Sequence, residues 1–300
     1  MKTKRYRGPK GNFHQVRAPL LFLLPNILVF TIFIIIPAVQ GLAMSLTKWS
    51  ILGKPQYVGL KNFEKLLGDR VFRVTVQNTV VYAFFTVLLL TVCSLLLALL
   101  LHKNALRGEK AFRSIFYIPS LLSMITVGIA WRFILGDEMG VVNYVIRALG
   151  GDGVRFMTDG RLAMVSLIFV TIWAQAGYYM VIMISGLQAI PQDIYEAARI
   201  DGASPRKMFF GITLPLLKST VLVVVVLATI SAFKAYELIN VMTGGGPGYA
   251  TKVIVQQVYQ VAFVEDRMGY AAAMSVVLML IVGVFTLIQF KVTGGEQDYE

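Results

Sequence analysis

Apolar residues fall into six long runs along this chain, separated by shorter polar stretches. The runs cover about residues 19-47, 74-101, 114-135, 162-189, 212-233 and 268-290. Crossing a hydrocarbon core of about 30 Å takes roughly 20 apolar residues, so each run is long enough for one crossing. Each crossing should be helical, because a helix pairs all of its own backbone polar groups in lipid. The pattern predicts an all-α, polytopic membrane protein with six transmembrane helices.

The composition supports a membrane protein, and the distribution of positive charge predicts its orientation in the membrane. Hydrophobic residues make up 57% of the 300 and charged residues only 15%. The net charge of +12 does not indicate nucleic-acid binding, because six of the positive residues lie in the first 17, without an acid. By the positive-inside rule this segment is a cytoplasmic tail, 1-18, although the outer segment 48-73 is itself basic. The predicted domains are that tail, a six-helix transmembrane domain over 19-290 and a cytoplasmic tail over 291-300.

Residues that would carry catalysis or hold a cofactor are missing from the sequence. His14 and His102 are far apart and Cys93 is the one cysteine, which argues against a metal site. The Gly-rich segment 243-248 follows no predicted strand, and no phosphate-binding GxxxxGK[ST] motif occurs. The apolar segments hold no paired acid and base. The chain is therefore expected to be neither an enzyme nor a cofactor binder.

The most polar stretch of the second half is "EAARIDGASPRKMFFGITLPLL", 196-217. A first helix should run to about Asp201, where Gly202 acts as a C-terminal stop. Ser204 can cap a second helix that has Pro205 at its first position. The loop 190-215 is therefore predicted to be a helix-turn-helix at the cytoplasmic face.

The spacing of this loop resembles a known signature. Glu196-Ala197-Ala198, Gly202, Ile212 and Leu214-Pro215 stand where the EAA motif of bacterial ATP-binding-cassette (ABC) importer permeases has its anchors. The segments "VGLKNF", "FRSIFYIPSLL" and "GYAAAMSVVL" are similar to the carbohydrate-importer branch, and the likeness covers about 20-289. Within that branch the chain looks like the first permease of maltose-type or glycerol-phosphate-type systems.

The resemblance implies a fold, a location and partners. The fold would be the type I, maltose-transporter-like permease fold, in the bacterial plasma membrane with both termini cytoplasmic. The partners would be a second homologous permease, two ABC ATPase subunits, an extracytoplasmic sugar-binding protein and the carbohydrate itself. ATP hydrolysis would reside in the ATPases, on which the loop would dock. The docking residues implied are Tyr195, Glu196, Ala197, Ala198, Asp201, Gly202, Ala203, Ile212, Leu214 and Pro215.

Polar groups inside or near the crossings that flank the loop are candidates for a sugar pathway, because such groups are costly in lipid. Aromatic faces and hydrogen-bonding groups both suit sugars. The candidates are Trp173, Gln175, Tyr178, Ser231, Lys234, Tyr236, Glu237 and Asn240. Two plainer interpretations remain open, one in which Tyr178 only packs at the membrane interface and one in which Lys234 pairs with Glu237. A conduit without a formed pocket is a further alternative.

An independent secondary transporter of a small polar solute is the alternative function. It would need ionisable residues deep in the crossings and an internal repeat. The crossings are almost free of acids, and no repeat between the halves is visible. The favoured hypothesis is a non-catalytic permease subunit of an ATP-driven carbohydrate importer.

Overall fold

The computed structural model describes residues 13–102 and 108–293, with side chains for 21–102 and 108–292. Most of the predicted tails therefore lies outside the described residues, and 13–18 belong to the first helix. The α-helices, in chain order, are α1 (Phe13–Phe30), α2 (Ile36–Ser45), α3 (Lys61–Gly68), α4 (Arg70–Leu101), α5 (Glu109–Tyr117), α6 (Met124–Ile134), α7 (Val141–Ala148), α8 (Gly160–Gln188), α9 (Gln192–Ile200), α10 (Pro205–Met208), α11 (Leu214–Leu216), α12 (Lys218–Phe233), α13 (Glu237–Met242), α14 (Ile254–Tyr259) and α15 (Met268–Thr293). The strands are β1 (Thr47–Lys48) and β2 (Gln56–Tyr57).

The spans lie where the hydrophobic runs predict them. Four described helices are long and apolar enough to cross a membrane, and two bent helix pairs raise the number to six if each pair is one span. We number them span one (Leu21–Ser45), span two (Arg70–Leu101), span three (Glu109–Leu121 with Met124–Ile134), span four (Gly160–Gln188), span five (Pro205–Leu216 with Lys218–Phe233) and span six (Met268–Val292). The predicted all-α membrane architecture is confirmed, with a two-stranded hairpin added to it.

Span three is not a continuous helix over the predicted 114-135. Its first part ends in a turn of 3₁₀ helix over Ile118–Leu121, and its second part leaves at 98°. Pro119 removes a backbone donor from this turn, and the Ser123 hydroxyl accepts a hydrogen bond from the Ile125 amide to start α6 anew. With 11 residues, α6 is about 16 Å long and cannot cross the membrane alone.

Span five also bends, by 62° between its two halves. A π-helical turn over Phe209–Thr213 precedes the bend, and Pro215 lies at it. Proline has no amide to donate to the preceding turn, so the regular helical ladder is interrupted there. The segment that leads out of the loop 190-215 is therefore set off from α12.

Span four is the centre of the bundle. Spans two and five pack against it through buried side chains such as Leu167, Met180 and Val224. A methyl group on Gly177 would lie 1.9 Å from the Phe116 carbonyl oxygen, so glycine is required where the first half of span three crosses span four. Span one differs, because none of its most apolar window is buried. It contacts the rest of the chain mainly through α2 on span six.

The two ends of the bundle carry different structures. We call the end with 190-215 the loop end and the opposite end the hairpin end. At the hairpin end β1 and β2 pair antiparallel, with Thr47 opposite Tyr57. The short helices α3, α7, α13 and α14 lie at this end, between the spans. Polar sequence is thus organised at both ends of the spans.

Candidate functional site

The loop 190-215 forms two helices joined by a sharp turn, as the sequence predicts. α9 ends at Ile200, and Gly202 has a φ of +73°, a backbone conformation that favours glycine. The Gly202 and Ala203 amides donate to the Arg199 and Ala198 carbonyls at 3.1 and 2.9 Å, which closes the helix end. α10 begins with Pro205 after Ser204, whose hydroxyl accepts from the Lys207 amide at 3.4 Å. The turn is built from neighbouring residues.

Much of this loop is free of contacts with the rest of the chain. Neither α9 nor α10 contains a buried residue, and Glu196, Ala197 and Asp201 are exposed. Ile200, which the sequence analysis did not single out, is 87% exposed. It lies four residues after Glu196, on the same helical face. An exposed isoleucine beside small and acidic side chains is a surface that suits another protein.

A hydrogen bond ties the exposed helix to the base of span five. The Tyr195 hydroxyl lies 2.9 Å from Thr213 Oγ1, and Thr213 is buried. The Tyr195 ring also packs on the cluster that contains Leu187 and Leu217. Thr213 was not among the predicted loop residues, although it lies between two anchors of the motif. A displacement of α9 would be passed to spans four and five through these contacts.

The last predicted loop residues lie away from the exposed turn. Ile212 and Leu214 are half-buried and Pro215 is exposed, all at the bend of span five. They therefore form the base of the span. The structure separates the predicted set into a mostly exposed turn, from Glu196 to Ala203, and this base, with the half-buried Tyr195 between them.

A cavity of about 860 Å³ opens beside the loop, between α9 and the start of span three. Its lining includes Arg199, Tyr195 and Thr213. On the other side Glu109 pairs with Arg113, whose guanidinium donates to the Leu101 carbonyl at 2.7 Å. These contacts hold the start of span three against the end of span two, and this part of the chain forms the side of the cavity opposite α9.

Five of the eight residues predicted for a sugar pathway line one cavity. The cavity has a volume of about 460 Å³ and lies between spans two, four and five. The five are Gln175, Ser231, Lys234, Tyr236 and Glu237. The Tyr236 phenol is neutral near pH 7 and can donate a hydrogen bond, and burial raises its pKa further. Lys234 and Glu237 form no ion pair: those of the described residues are Arg113–Glu109 and Arg267–Glu265.

Span two supplies part of this cavity, which the sequence analysis did not anticipate. Tyr82 and Thr86 line it, and the buried Tyr82 hydroxyl lies 2.8 Å from Thr171 Oγ1 of span four. The signal was available, because Tyr82 and Thr86 are polar residues one helical turn apart in an apolar run. The cavity has hydroxyl, amide, ammonium and carboxylate groups and an aromatic ring, which are groups that bind a polyhydroxylated molecule.

The other three predicted pathway residues lie outside this cavity. Trp173 is exposed on span four, with its ring edge-on to Trp131. Residues two positions apart on a helix point to nearly opposite sides, so Trp173 faces away from Gln175. Tyr178 is exposed and packs edge-on against Tyr179. The Asn240 side-chain oxygen accepts from Gln256 Nε2 at 3.0 Å. Their place in a pathway stays a prediction.

Metal chemistry has no evident place in the described part of the chain, where no group of three or more His, Cys, Asp and Glu residues could hold an ion. The residues that come together are hydrogen-bonding groups in a cavity and an exposed helical turn. This arrangement suits passage of a solute and docking of a protein.

Comparison with known proteins identifies the family. Residues 91–292 match the family described as "Binding-protein-dependent transport system inner membrane component". The probable ABC transporter permease protein YurN of Bacillus subtilis is 36% identical over 93% of this chain and 97% of its own length. The sn-glycerol-3-phosphate transport system permease protein UgpA of Agrobacterium fabrum is 34% identical over 91% of this chain and 93% of its own.

A solved structure agrees with this assignment. A chain of a bacterial ABC transporter involved in the import of the acidic polysaccharide alginate is 26% identical, with a TM-score of 0.82 over 94% of this chain and 98% of that one. The chain therefore belongs to the family of binding-protein-dependent transport system inner membrane components, in the group that includes the sugar importers, and it is a multi-pass, non-catalytic permease subunit of an ABC importer in the inner membrane.

Proposed function

We propose that this permease passes a carbohydrate or a sugar-like phosphate ester through the cavity between spans two, four and five. The observation that carries the proposal is the convergence of Gln175, Ser231 and Tyr236 from different elements on one cavity. The named relatives support the substrate class, because they handle glycerol phosphate and an acidic polysaccharide. Trp173, Tyr178 and Asn240 would contact the solute before or after it occupies this cavity.

The exposed turn of the loop 190-215 would dock on an ABC ATPase subunit. Small residues at Ala197 and Ala198 allow close approach of another protein, and Ile200 offers an apolar contact. The Tyr195–Thr213 bond would relay the movement to spans four and five, which both border the proposed solute cavity. The loop end, both tails and the ATPases would therefore be cytoplasmic, and the hairpin end would face the exterior.

A second, homologous permease would complete the pathway. Span one buries none of its most apolar window against this chain, which leaves that part of the helix available for another subunit. Two ATPase copies would bind the two permeases, one to each. An extracytoplasmic sugar-binding protein would deliver the solute to the hairpin end.

Docking can be tested at Gly202 in the complete transporter reconstituted in liposomes. Gly202→Val places a β-branched residue at positive φ, a conformation that glycine and, less easily, asparagine and aspartate adopt. The variant should assemble with its partners and lose at least about tenfold in both sugar uptake and coupled ATP hydrolysis, as expected for strain of 1–2 kcal/mol or more in the docking turn. Gly202→Asn is the matched control and should retain most activity. Normal coupling in the valine variant would rule out the docking role.

The solute cavity can be tested with a pair of serine variants. Ser231→Ala removes a hydroxyl that lines the cavity, whereas Ser185→Ala removes one that bonds only to its own helix, at the Val181 carbonyl. Losing one solute hydrogen bond of about 1 kcal/mol should raise the KM for uptake about fivefold in the first variant alone. An equal KM in the two variants would place the pathway elsewhere. Uptake by this polypeptide without ATPases would instead support a secondary transporter.

A further inference from the structure

A strongly basic cavity at the hairpin end has no role in the proposed transport cycle. It has a volume of about 580 Å³ and lies between the β-hairpin, α3 and the start of span six. Five cationic side chains line it: Lys48, Lys54, Lys61, Lys65 and Arg267. The lining contains one carboxylate, Asp266. A positive cluster on the outer side is also unexpected for a chain oriented by the positive-inside rule.

The four lysines of this cavity are not neutralised by ion pairs with the rest of the described chain. Asp266 Oδ1 accepts a hydrogen bond from the Ile51 amide at 2.7 Å, which holds the hairpin to span six. Arg267 pairs with Glu265 at 3.4 Å, whereas the four lysines take part in no ion pair among the described residues. Like charges gathered in one cavity repel each other, so an anion bound there would be stabilised.

The cavity lies at the depth where the spans leave the hydrocarbon. Lys48 follows the last residue of span one, Ser45, by three positions, and Arg267 directly precedes the first residue of span six. The end of span one and the start of span six are held together, because the Gly269 amide donates to the Trp49 carbonyl at 3.3 Å. The cations are therefore at the level of the lipid headgroups, where lysine side chains reach the polar surface.

Exposed apolar side chains flank the cationic cavity. Leu52, at the tip of the hairpin, is 96% exposed, and four more residues in the hairpin or α3 region are exposed: Ile51, Tyr57, Leu60 and Leu67. Such residues fit the interfacial part of a bilayer, and together with lysines they match an amphipathic surface that lies on a membrane. A lysine-rich centre is unlike a protein interface, where lysine is depleted.

We propose that this cavity binds the phosphodiester headgroup of an anionic phospholipid, with its acyl chains along spans one and six. The lipid would neutralise the lysines and hold the hairpin against the two spans. That the lipid comes from the outer leaflet rests on the orientation proposed above. Lipid binding to the cavity does not depend on that orientation. It is measured on this chain without transport, so the result is independent of the proposed function.

The test uses the full chain purified in mild detergent and lipids with identical acyl chains. Native mass spectrometry should show phosphatidylglycerol bound in preference to phosphatidylcholine. Lys61→Gln with Lys65→Gln should weaken phosphatidylglycerol binding about tenfold and leave phosphatidylcholine binding unchanged. Lys61→Arg with Lys65→Arg keeps the charge and should retain the preference. Retained secondary structure and elution volume show that the glutamine variant folds.

The matched control removes two charges at the same end but outside the cavity. Arg155→Gln with Arg161→Gln changes exposed residues that do not line it, and lipid preference should persist. No preference in the unaltered chain, or an equal loss in this control, would overturn the proposal. Displacement of the lipid by equimolar soluble glycerol phosphate would reassign the cavity to a free phosphate ester. Unchanged lipid binding with weakened binding-protein docking in the Lys61/Lys65 variant would reassign it to an acidic protein.

Discussion

The loop 190-215 and the loop 243-253 at the hairpin end differ in what holds them in place. The first is held by bonds between close neighbours, such as Ala203 to Ala198 and Lys207 to Ser204. The second has local bonds too, such as Thr251 to Gly245, but it is also held from span two, more than 170 positions earlier. The Asn78 side-chain amide donates to the Tyr249 and Lys252 carbonyls at 2.6 and 3.0 Å. Thr79 Oγ1 accepts from the Ile254 amide at 2.9 Å.

The difference shows how each loop would respond to a movement of the spans. A turn that satisfies its own backbone keeps its shape when its surroundings shift, as an element that docks on another protein must. A glycine-rich loop that also takes hydrogen-bond partners from span two is tied to the position of that span. We therefore expect 190-215 to move as a unit and 243-253 to follow span two.

The largest expected effect comes from Asn78→Asp, which replaces the donor with a carboxylate facing two carbonyl oxygens. Two hydrogen bonds are lost and repulsion is added, so the free energy of unfolding should fall by about 3 kcal/mol at neutral pH. Thermal unfolding of the purified chain measures this. Thr91→Val on the same helix is the control, because the buried Thr91 hydroxyl has no hydrogen-bond partner among the described residues and its removal should cost nothing. Equal stability of the two variants would refute dependence of the loop on span two.

Thr79→Val should have an intermediate effect. It leaves the buried Ile254 amide without an acceptor, which costs about 1 to 2 kcal/mol. Amide hydrogen exchange should become faster at Ile254 and in the preceding loop, while α9 and α10 keep the protection of the unaltered protein. Unchanged exchange at Ile254 would mean that span two does not hold this loop.

Ser204→Ala should have the smallest effect, and only locally. The lost cap is worth at most about 1 kcal/mol, and the 3.4 Å bond is long. Amides 206–208 should exchange faster without a measurable change in the melting temperature of the bundle. A global loss of stability would contradict the local construction of the loop.

The spans and the loop 190-215 could be predicted because their signals are local. A hydrophobic run of about 20 residues is sufficient for a crossing, and Gly202, Ser204 and Pro205 each act on adjacent backbone. The break in span three was not predicted, because Pro119 can be tolerated in a membrane helix. The 98° turn also requires Gly177, which lies on another span.

The candidate pathway was predicted in part for the same reason. Polarity in an apolar run marked Gln175 and Ser231, but it could not show that Trp173 points away from them or that Tyr82 joins them. Which helical faces meet depends on packing between spans, and no single segment specifies that.

The sequence by itself determined that this chain crosses a membrane, where it crosses, and that a capped helix-turn-helix leads into span five. Hydropathy and backbone conformation are properties of neighbouring residues, so a linear pattern is enough. Only the tertiary structure decided which polar residues share a cavity, how span two holds a loop far along the chain, and that lysines from the hairpin and α3 meet Arg267 of span six. These features depend on distances between segments that the chain brings together only when it folds.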